Sequence, residues 1–206
     1  MFISFEGIDS SGKSTQSKLL GDFLTAKGYK VLHLREPGGT DISEKIRHLL
    51  LDKTNHQMRG LTEFLLYSAA RAQLVDEVIR PALSEERTII CDRYCDSSTA
   101  YQGFARGLGV EKIEAINKIA TYGIMPDLTI FVDVKVETAL ARLKAKGKLS
   151  DRIEAEGSAF FEQVRLGFLQ IATHEEERFK VVSGEDDKAI VEQKIRKFVI
   201  DKFNIT

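Results

Sequence analysis

The chain has 206 residues, of which 43% are hydrophobic and 30% charged, and its formal net charge is −1. A chain of this size holds one core, because single cores stop growing only beyond roughly 250 residues. The near-neutral balance excludes a general electrostatic draw toward nucleic acid or an anionic membrane, so any phosphate binding must be local.

The first apolar, β-favouring run covers 2–8, starting Met1-Phe2-Ile3-Ser4-Phe5. It lacks the basic start and long apolar stretch of a signal peptide, and no run of 18 apolar residues occurs, which predicts a cytoplasmic protein. The run leads into Gly7-Ile8-Asp9-Ser10-Ser11-Gly12-Lys13-Ser14, a match to G-x-x-x-x-G-K-[ST]. Leu19, Leu20, Phe23 and Leu24 then recur with helical spacing, and Gly28 offers a stop. A phosphate-binding loop is expected in this place, between a strand and a helix whose positive end faces the anion.

Further strands are expected at 29–34, 88–91, 128–134 and 179–182. Helices are expected around Ile42, Ile46, Leu49 and Leu50, over 63–79 ending before Pro81, over 136–146, and over 189–203. This βα alternation predicts an α/β fold: a P-loop NTPase-type five-stranded parallel sheet with helices on both faces and ligands beyond the C-terminal strand ends. With only three prolines and no repeat or linker, residues 1–206 read as a single P-loop domain. The basic segment 144–154, with Lys144, Lys146, Gly147 and Lys148, reads as a short mobile lid.

Cys91 and Cys95 are the only cysteines, and on an extended strand they lie too far apart for a disulfide. Their CxxxC spacing is a poor zinc set, so they read as small core residues.

The loop predicts its own chemistry. Gly7, Ile8, Asp9, Ser10, Ser11, Gly12, Lys13, Ser14 and Thr15 would wrap ATP, with Lys13 reaching the β- and γ-phosphates. Ser14 would give its hydroxyl to Mg²⁺. The loop alone does not choose between ATPase, GTPase and small-molecule kinase. A guanine-reading NKxD stretch is missing, since Asn117-Lys118-Ile119-Ala120 lacks the aspartate. The run 88–91 ends in Asp92-Arg93, which brings a carboxylate for Mg²⁺ and a guanidinium fork for phosphate to the same strand end.

Asp92-Arg93-Tyr94 leading into Ser97-Ser98-Thr99-Ala100-Tyr101-Gln102-Gly103 resembles the acceptor motif of the thymidylate kinase family, bacterial type. The resemblance continues in Phe5-Glu6-Gly7-Ile8-Asp9, Arg35-Glu36-Pro37-Gly38-Gly39-Thr40, Tyr67-Ser68-Ala69-Ala70-Arg71 and Asp151-Arg152-Ile153-Glu154, in family order across 2–154.

It implies transfer of the γ-phosphoryl of ATP to dTMP, giving ADP and dTDP for dTTP synthesis, with Lys13, Arg93, Arg152 and Asp9 as the catalytic set. Arg71 and Arg93 would grip the acceptor phosphate, with Glu36, Pro37 and Ser97 beside them. Asp9 would lie near the 3′-hydroxyl and orient Arg93. Ser98 and Gln102 would read the thymine edge, and the Tyr101 ring would exclude a 2′-hydroxyl. Tyr67 stands where the family stacks a phenylalanine on the base, with Phe64 one turn earlier as the alternative. Arg152 is the expected lid contact to ATP, with Lys146 or Lys148 sharing that task. The resemblance also implies a homodimer. A kinase for another nucleoside monophosphate would keep the loop and lid and change the base pocket. A P-loop switch would have no use for two arginines on an acceptor anion.

Overall fold

The computed structural model describes residues 1–145, 147 and 151–205. Lys146 and Lys148 of the expected lid lie outside the described residues.

In chain order the elements are β1 (Phe2–Glu6), α1 (Lys13–Ala26), β2 (Val31–Arg35), α2 (Asp41–Leu51), α3 (Gly60–Leu74), α4 (Arg80–Ser84), β3 (Thr88–Asp92), α5 (Cys95–Ser98), α6 (Val110–Ala120), β4 (Leu128–Asp133), α7 (Val136–Ala145), α8 (Ser158–His174), β5 (Phe179–Ser183) and α9 (Lys188–Phe203). The five strands form one parallel sheet in the order β2-β3-β1-β4-β5. The central strands read as near-continuous apolar runs because both faces are covered.

Period-2 alternation sorts the side chains. Ile3, Phe5, Ile90 and Ile130 pack with Leu20 and Leu24 of α1 and Val191, Ile195 and Val199 of α9. On the opposite face Phe2, Ile89 and Cys91 meet Leu74 of α3, and Phe131 meets Val164 and Phe168 of α8. The expected five-stranded parallel sheet with helices on both faces is therefore present. No described helix is long and apolar enough to cross a membrane.

The helix expected to stop before Pro81 does not stop there. α3 runs into a π-helical turn, Val75–Ile79, and then into α4, with Pro81 in its first turn. The wider turn changes the hydrogen-bond register where the proline N–H is missing, so the helical path continues. A second π-helical stretch, Thr99–Ala105, follows α5 directly and carries Tyr101 and Gln102. The helices α6 and α8 were not among the sequence expectations. Cys91 and Cys95 are buried free thiols.

Candidate active site

The phosphate loop is built by local backbone needs. Gly7 has φ 145°, and a Cβ there would lie 2.8 Å from both Ser11 Oγ and the Val132 carbonyl, so only glycine fits. Gly12 has φ 106° immediately before α1. Ser11 N donates to the Ile8 carbonyl at 3.2 Å, while Ser11 Oγ is buried without a partner among the described residues. Lys13 is folded back, 6% exposed, with Nζ donating to the Ile8 carbonyl at 3.4 Å and 3.6 Å from Asp9 Oδ1. Burial and the nearby Arg93 lower its pKa, against Asp9, Asp92 and Glu6. Such an ammonium lacks full compensation, which suits an incoming polyphosphate.

Sheet register brings the second strand end to this loop. Phe5 of β1 pairs with Asp92 of β3, and Ser14 Oγ donates to Asp92 Oδ2 at 2.5 Å. These two hard oxygen donors fit a small divalent cation.

Beside them opens a cavity of about 300 Å³. Its wall contains Asp9, Lys13, Ser14 and Asp92 together with Glu36, Pro37, Tyr67, Arg71, Arg93, Ser97, Ser98, Tyr101 and Gln102. Every acceptor residue expected from sequence thus lines one space. Tyr67 is on that wall, whereas Phe64 is wholly buried in the protein, so of these two it is Tyr67 that reaches the cavity.

Arg93 adopts φ 70°, a left-handed conformation that turns its side chain back over the loop. Its Nη2 donates to Asp9 Oδ1 at 3.0 Å and to Tyr101 Oη at 3.2 Å, and Nη1 donates to Ser97 Oγ at 3.2 Å. Burial alone would raise the Asp9 carboxyl, but Arg93 and Lys13 outweigh it and hold the pKa at about 2. Asp9 is therefore a fixed negative charge that orients Arg93. Behind it, Glu6 accepts from Tyr94 N at 2.7 Å and from Ser97 Oγ at 2.5 Å. Burial and the Asp96 charge push its pKa up to about 8 despite Arg93 and those bonds.

Arg71, expected to grip the acceptor phosphate, is engaged by the protein itself. It is 2% exposed, and four of its five N–H donors are committed: Nε to Glu36 Oε2 at 2.7 Å, Nη1 to Asn117 Oδ1 at 2.9 Å, and Nη2 to Ser98 Oγ at 3.1 Å and the Tyr94 carbonyl at 3.3 Å. One donor remains, which suits a single carbonyl and not a dianionic phosphate. The expected fork is consumed because the buried Glu36, whose pKa burial raises to about 7 against Arg71, needs a counter-charge. Arg47, which sequence reasoning missed, lines the same cavity and donates through Nη1 to the Pro37 carbonyl, at 2.9 Å. Burial and Arg35 lower its pKa, leaving local positive potential in excess. A charged residue on an amphipathic helix carries no sequence signal that sets it apart from a solvated one.

Arg152, expected to touch the ATP phosphates, is engaged by the protein as well. Its backbone N donates to the Leu51 carbonyl at 3.1 Å, its Nε to the Leu50 carbonyl at 2.7 Å and its Nη1 to Glu63 Oε2 at 2.7 Å. It is thus held against α2 and α3 on the acceptor side, because Glu63 is a buried carboxylate that needs a cation. It does not line the space beside the phosphate loop.

That space is a second cavity, walled by Ser10, Ser11, Gly12 and Thr15 of the loop and by Arg142 of α7 and Gly184 after β5. Arg142 Nη2 donates to the Gly184 carbonyl at 3.0 Å. Neither residue was singled out from sequence, although a glycine closing an apolar run is the signal that marked Gly7. The two cavities flank the phosphate loop, one on each side.

The family model for thymidylate kinase matches residues 5–195. The thymidylate kinase of Caldanaerobacter subterraneus subsp. tengcongensis is 48% identical over 198 residues, covering 96% of this chain and 94% of that protein. That of Thermosipho melanesiensis is 49% identical over 199 residues, covering 97% of each. The crystal structure of thymidylate kinase from Ehrlichia chaffeensis superposes with a TM-score of 0.78 at 33% identity, over 97% of this chain and 98% of that one. With a strand-loop-helix phosphate cradle, an acceptor cavity sharing its wall and relatives matched end to end, this chain belongs to the thymidylate kinase family.

Proposed function

We propose that this kinase transfers the γ-phosphoryl group of ATP to dTMP, giving ADP and dTDP. The observation that carries the reading is the shared wall: Lys13 and Ser14 of the phosphate loop line the same cavity as Arg93, Tyr101 and Gln102. Donor and acceptor phosphates would meet there.

The acceptor phosphate already bears a nucleophilic oxygen, so no general base is required and catalysis reduces to positioning and charge stabilisation. Lys13 would hold the donor phosphates. Arg93, aimed by Asp9, would hold the transferring and accepting groups, with Arg47 as the second guanidinium on the acceptor. Ser14 and Asp92 would hold Mg²⁺, which would supply positive charge to offset that of the donor phosphates. Arg71 would give its remaining donor to a base carbonyl, beside Ser98 and Gln102, and Tyr67 would cover the base. The Tyr101 ring, packed edge-on against Phe160 and Phe168, would fill the place of a 2′-hydroxyl.

We also propose a homodimer. Ile42 and Leu49 of α2, Leu61 and Leu65 of α3 and Ile119 of α6 are exposed on helices that pack beside one another, which supports a covered apolar face. Buried free thiols fit a reducing cytoplasm.

The test is a coupled assay of ADP formation with ATP, Mg²⁺ and each of dTMP, dUMP, dCMP, dAMP and dGMP. Preference for dTMP is expected. Better use of another monophosphate would refute the base assignment, and ATP hydrolysis without any phosphorylated acceptor would refute transfer.

A further inference from the structure

Glu63 of α3 is wholly buried, yet its carboxylate is bound from three sides. Arg152 Nη1 donates to Oε2 at 2.7 Å, and Arg106 donates through Nη2 to Oε2 at 3.2 Å and through Nε to Oε1 at 3.3 Å. The third partner is neutral: Gln102 Nε2 donates to Oε1 at 2.8 Å. A carboxylate has no proton to give, so only the NH₂ end of the Gln102 amide can face it. The amide oxygen is therefore turned away from Glu63. It accepts no hydrogen bond from the described residues, and Gln102 lines the acceptor cavity beside Arg71 and Ser98.

An amide oxygen offered there is an acceptor. Thymine and uracil present an N–H at N3 and match it, whereas cytosine presents a lone pair at N3 and does not. The two ends of an amide are nearly isosteric, so the shape of the cavity does not choose between them. The negative charge behind Gln102 does, and Arg106 and Arg152 anchor that charge.

We infer, on the reading that a nucleoside monophosphate enters this cavity, that Glu63 is a positioning residue: it fixes the Gln102 amide and thereby selects an imide pyrimidine over cytosine. It touches no substrate. Glu63→Gln offers both a donor and an acceptor and frees Gln102 to turn over.

The experiment compares kcat/KM for dTMP and dCMP in wild type, Glu63→Gln, Gln102→Ala and the double variant, with melting temperatures recorded. Glu63→Gln should lower the dTMP-to-dCMP ratio by about 10- to 100-fold, the range for mispairing one buried hydrogen bond. The same change in the Gln102→Ala background should leave the ratio unaltered, because Glu63 acts through Gln102. A merely structural role would depress both substrates in parallel, and an unchanged ratio in folded Glu63→Gln overturns the inference.

If Glu63→Gln does not fold, Glu63→Asp keeps the carboxylate but draws it back by one methylene from its partners, Gln102 included. An undiminished ratio there would also overturn the inference. A further arm needs no turnover. The side-chain amide protons of Gln102, identified by NMR through their loss in Gln102→Ala, should exchange slowly in wild type and quickly in the Glu63 variants. Equal exchange would refute the positioning role even if the chain phosphorylates no pyrimidine monophosphate, an outcome that would separately refute the proposed function.

Discussion

The phosphate loop and the acceptor cavity differ in how they are made. The loop is one contiguous stretch, 7–15, whose shape follows from two glycines at positive φ and the start of α1. The cavity is assembled from α2, α3, α5, the π-helical stretch and the ends of β2 and β3, elements far apart in sequence. In the first region a residue's type states its task. In the second, the task depends on which partners have already claimed its hydrogen bonds: Arg71 and Arg93 look alike in sequence, yet one is consumed by the protein and the other faces the loop.

The largest effect should come from the loop. Lys13→Ala is expected to lower kcat/KM by about 10³-fold or more, since one preorganised donor to a developing charge is already worth ~10²–10³. Circular dichroism should show an intact fold, because among the described residues Lys13 makes one weak bond to the backbone and one loose ion pair. Near-normal turnover in a folded variant would break the contrast at its stronger end.

Arg71 sharpens the other end. Arg71→Ala should weaken dTMP about 10- to 100-fold while leaving ATP unchanged, read by calorimetric titration of each ligand. It should also destabilise the fold, by up to about 3–5 kcal/mol if Glu36 were left charged and buried. Glu36 can instead take a proton, and the loss of Arg71 removes the charge that lowers its pKa, so the destabilisation should shrink as pH falls. Arg71→Lys restores the charge but not the planar set of donors, so it should recover only part of the affinity. A fall in ATP affinity alone would show that the acceptor region has been misplaced.

A smaller effect is expected from Tyr101. Tyr101→Ala removes the ring and should relax discrimination against ribonucleotides by about 10-fold, within the ~10² by which shape alone rejects an added hydroxyl. Tyr101→Phe keeps the ring and loses only the acceptor for Arg93, so it should keep that discrimination. The deoxy-to-ribo ratio of kcat/KM decides; an unchanged ratio in Tyr101→Ala would remove the ring from the specificity account.

The smallest effect is on stability. Burial raises Glu36 from 4.5 to about 7 and Glu6 from 4.5 to about 8. A carboxyl raised in the folded state contributes stability below its unfolded pKa, and that contribution is lost as pH rises through the folded value. The melting temperature should therefore fall between about pH 5 and 8, and Glu36→Gln should flatten part of that slope. Each kcal/mol corresponds to about 2–4 °C in a chain of this size. A flat profile in wild type would show that the two acids are not raised.

The sequence alone determined the strands, the parallel α/β architecture and the phosphate loop, while the residue set expected around the acceptor came from the resemblance to the thymidylate kinase family. These signals are local: period-2 and helical spacing report which face is buried, and a glycine at a forced turn reports backbone shape. It also marked Tyr67 without settling Phe64. Only the tertiary structure put Phe64 in the core, carried the helix past Pro81, brought Arg47 into the cavity and gave Arg152 to Glu63. It also spent the donors of Arg71 on Glu36, Asn117, Tyr94 and Ser98. Those outcomes turn on pairing. A buried charge must find a partner and a buried donor an acceptor, and the groups available are set by long-range packing that no local pattern encodes.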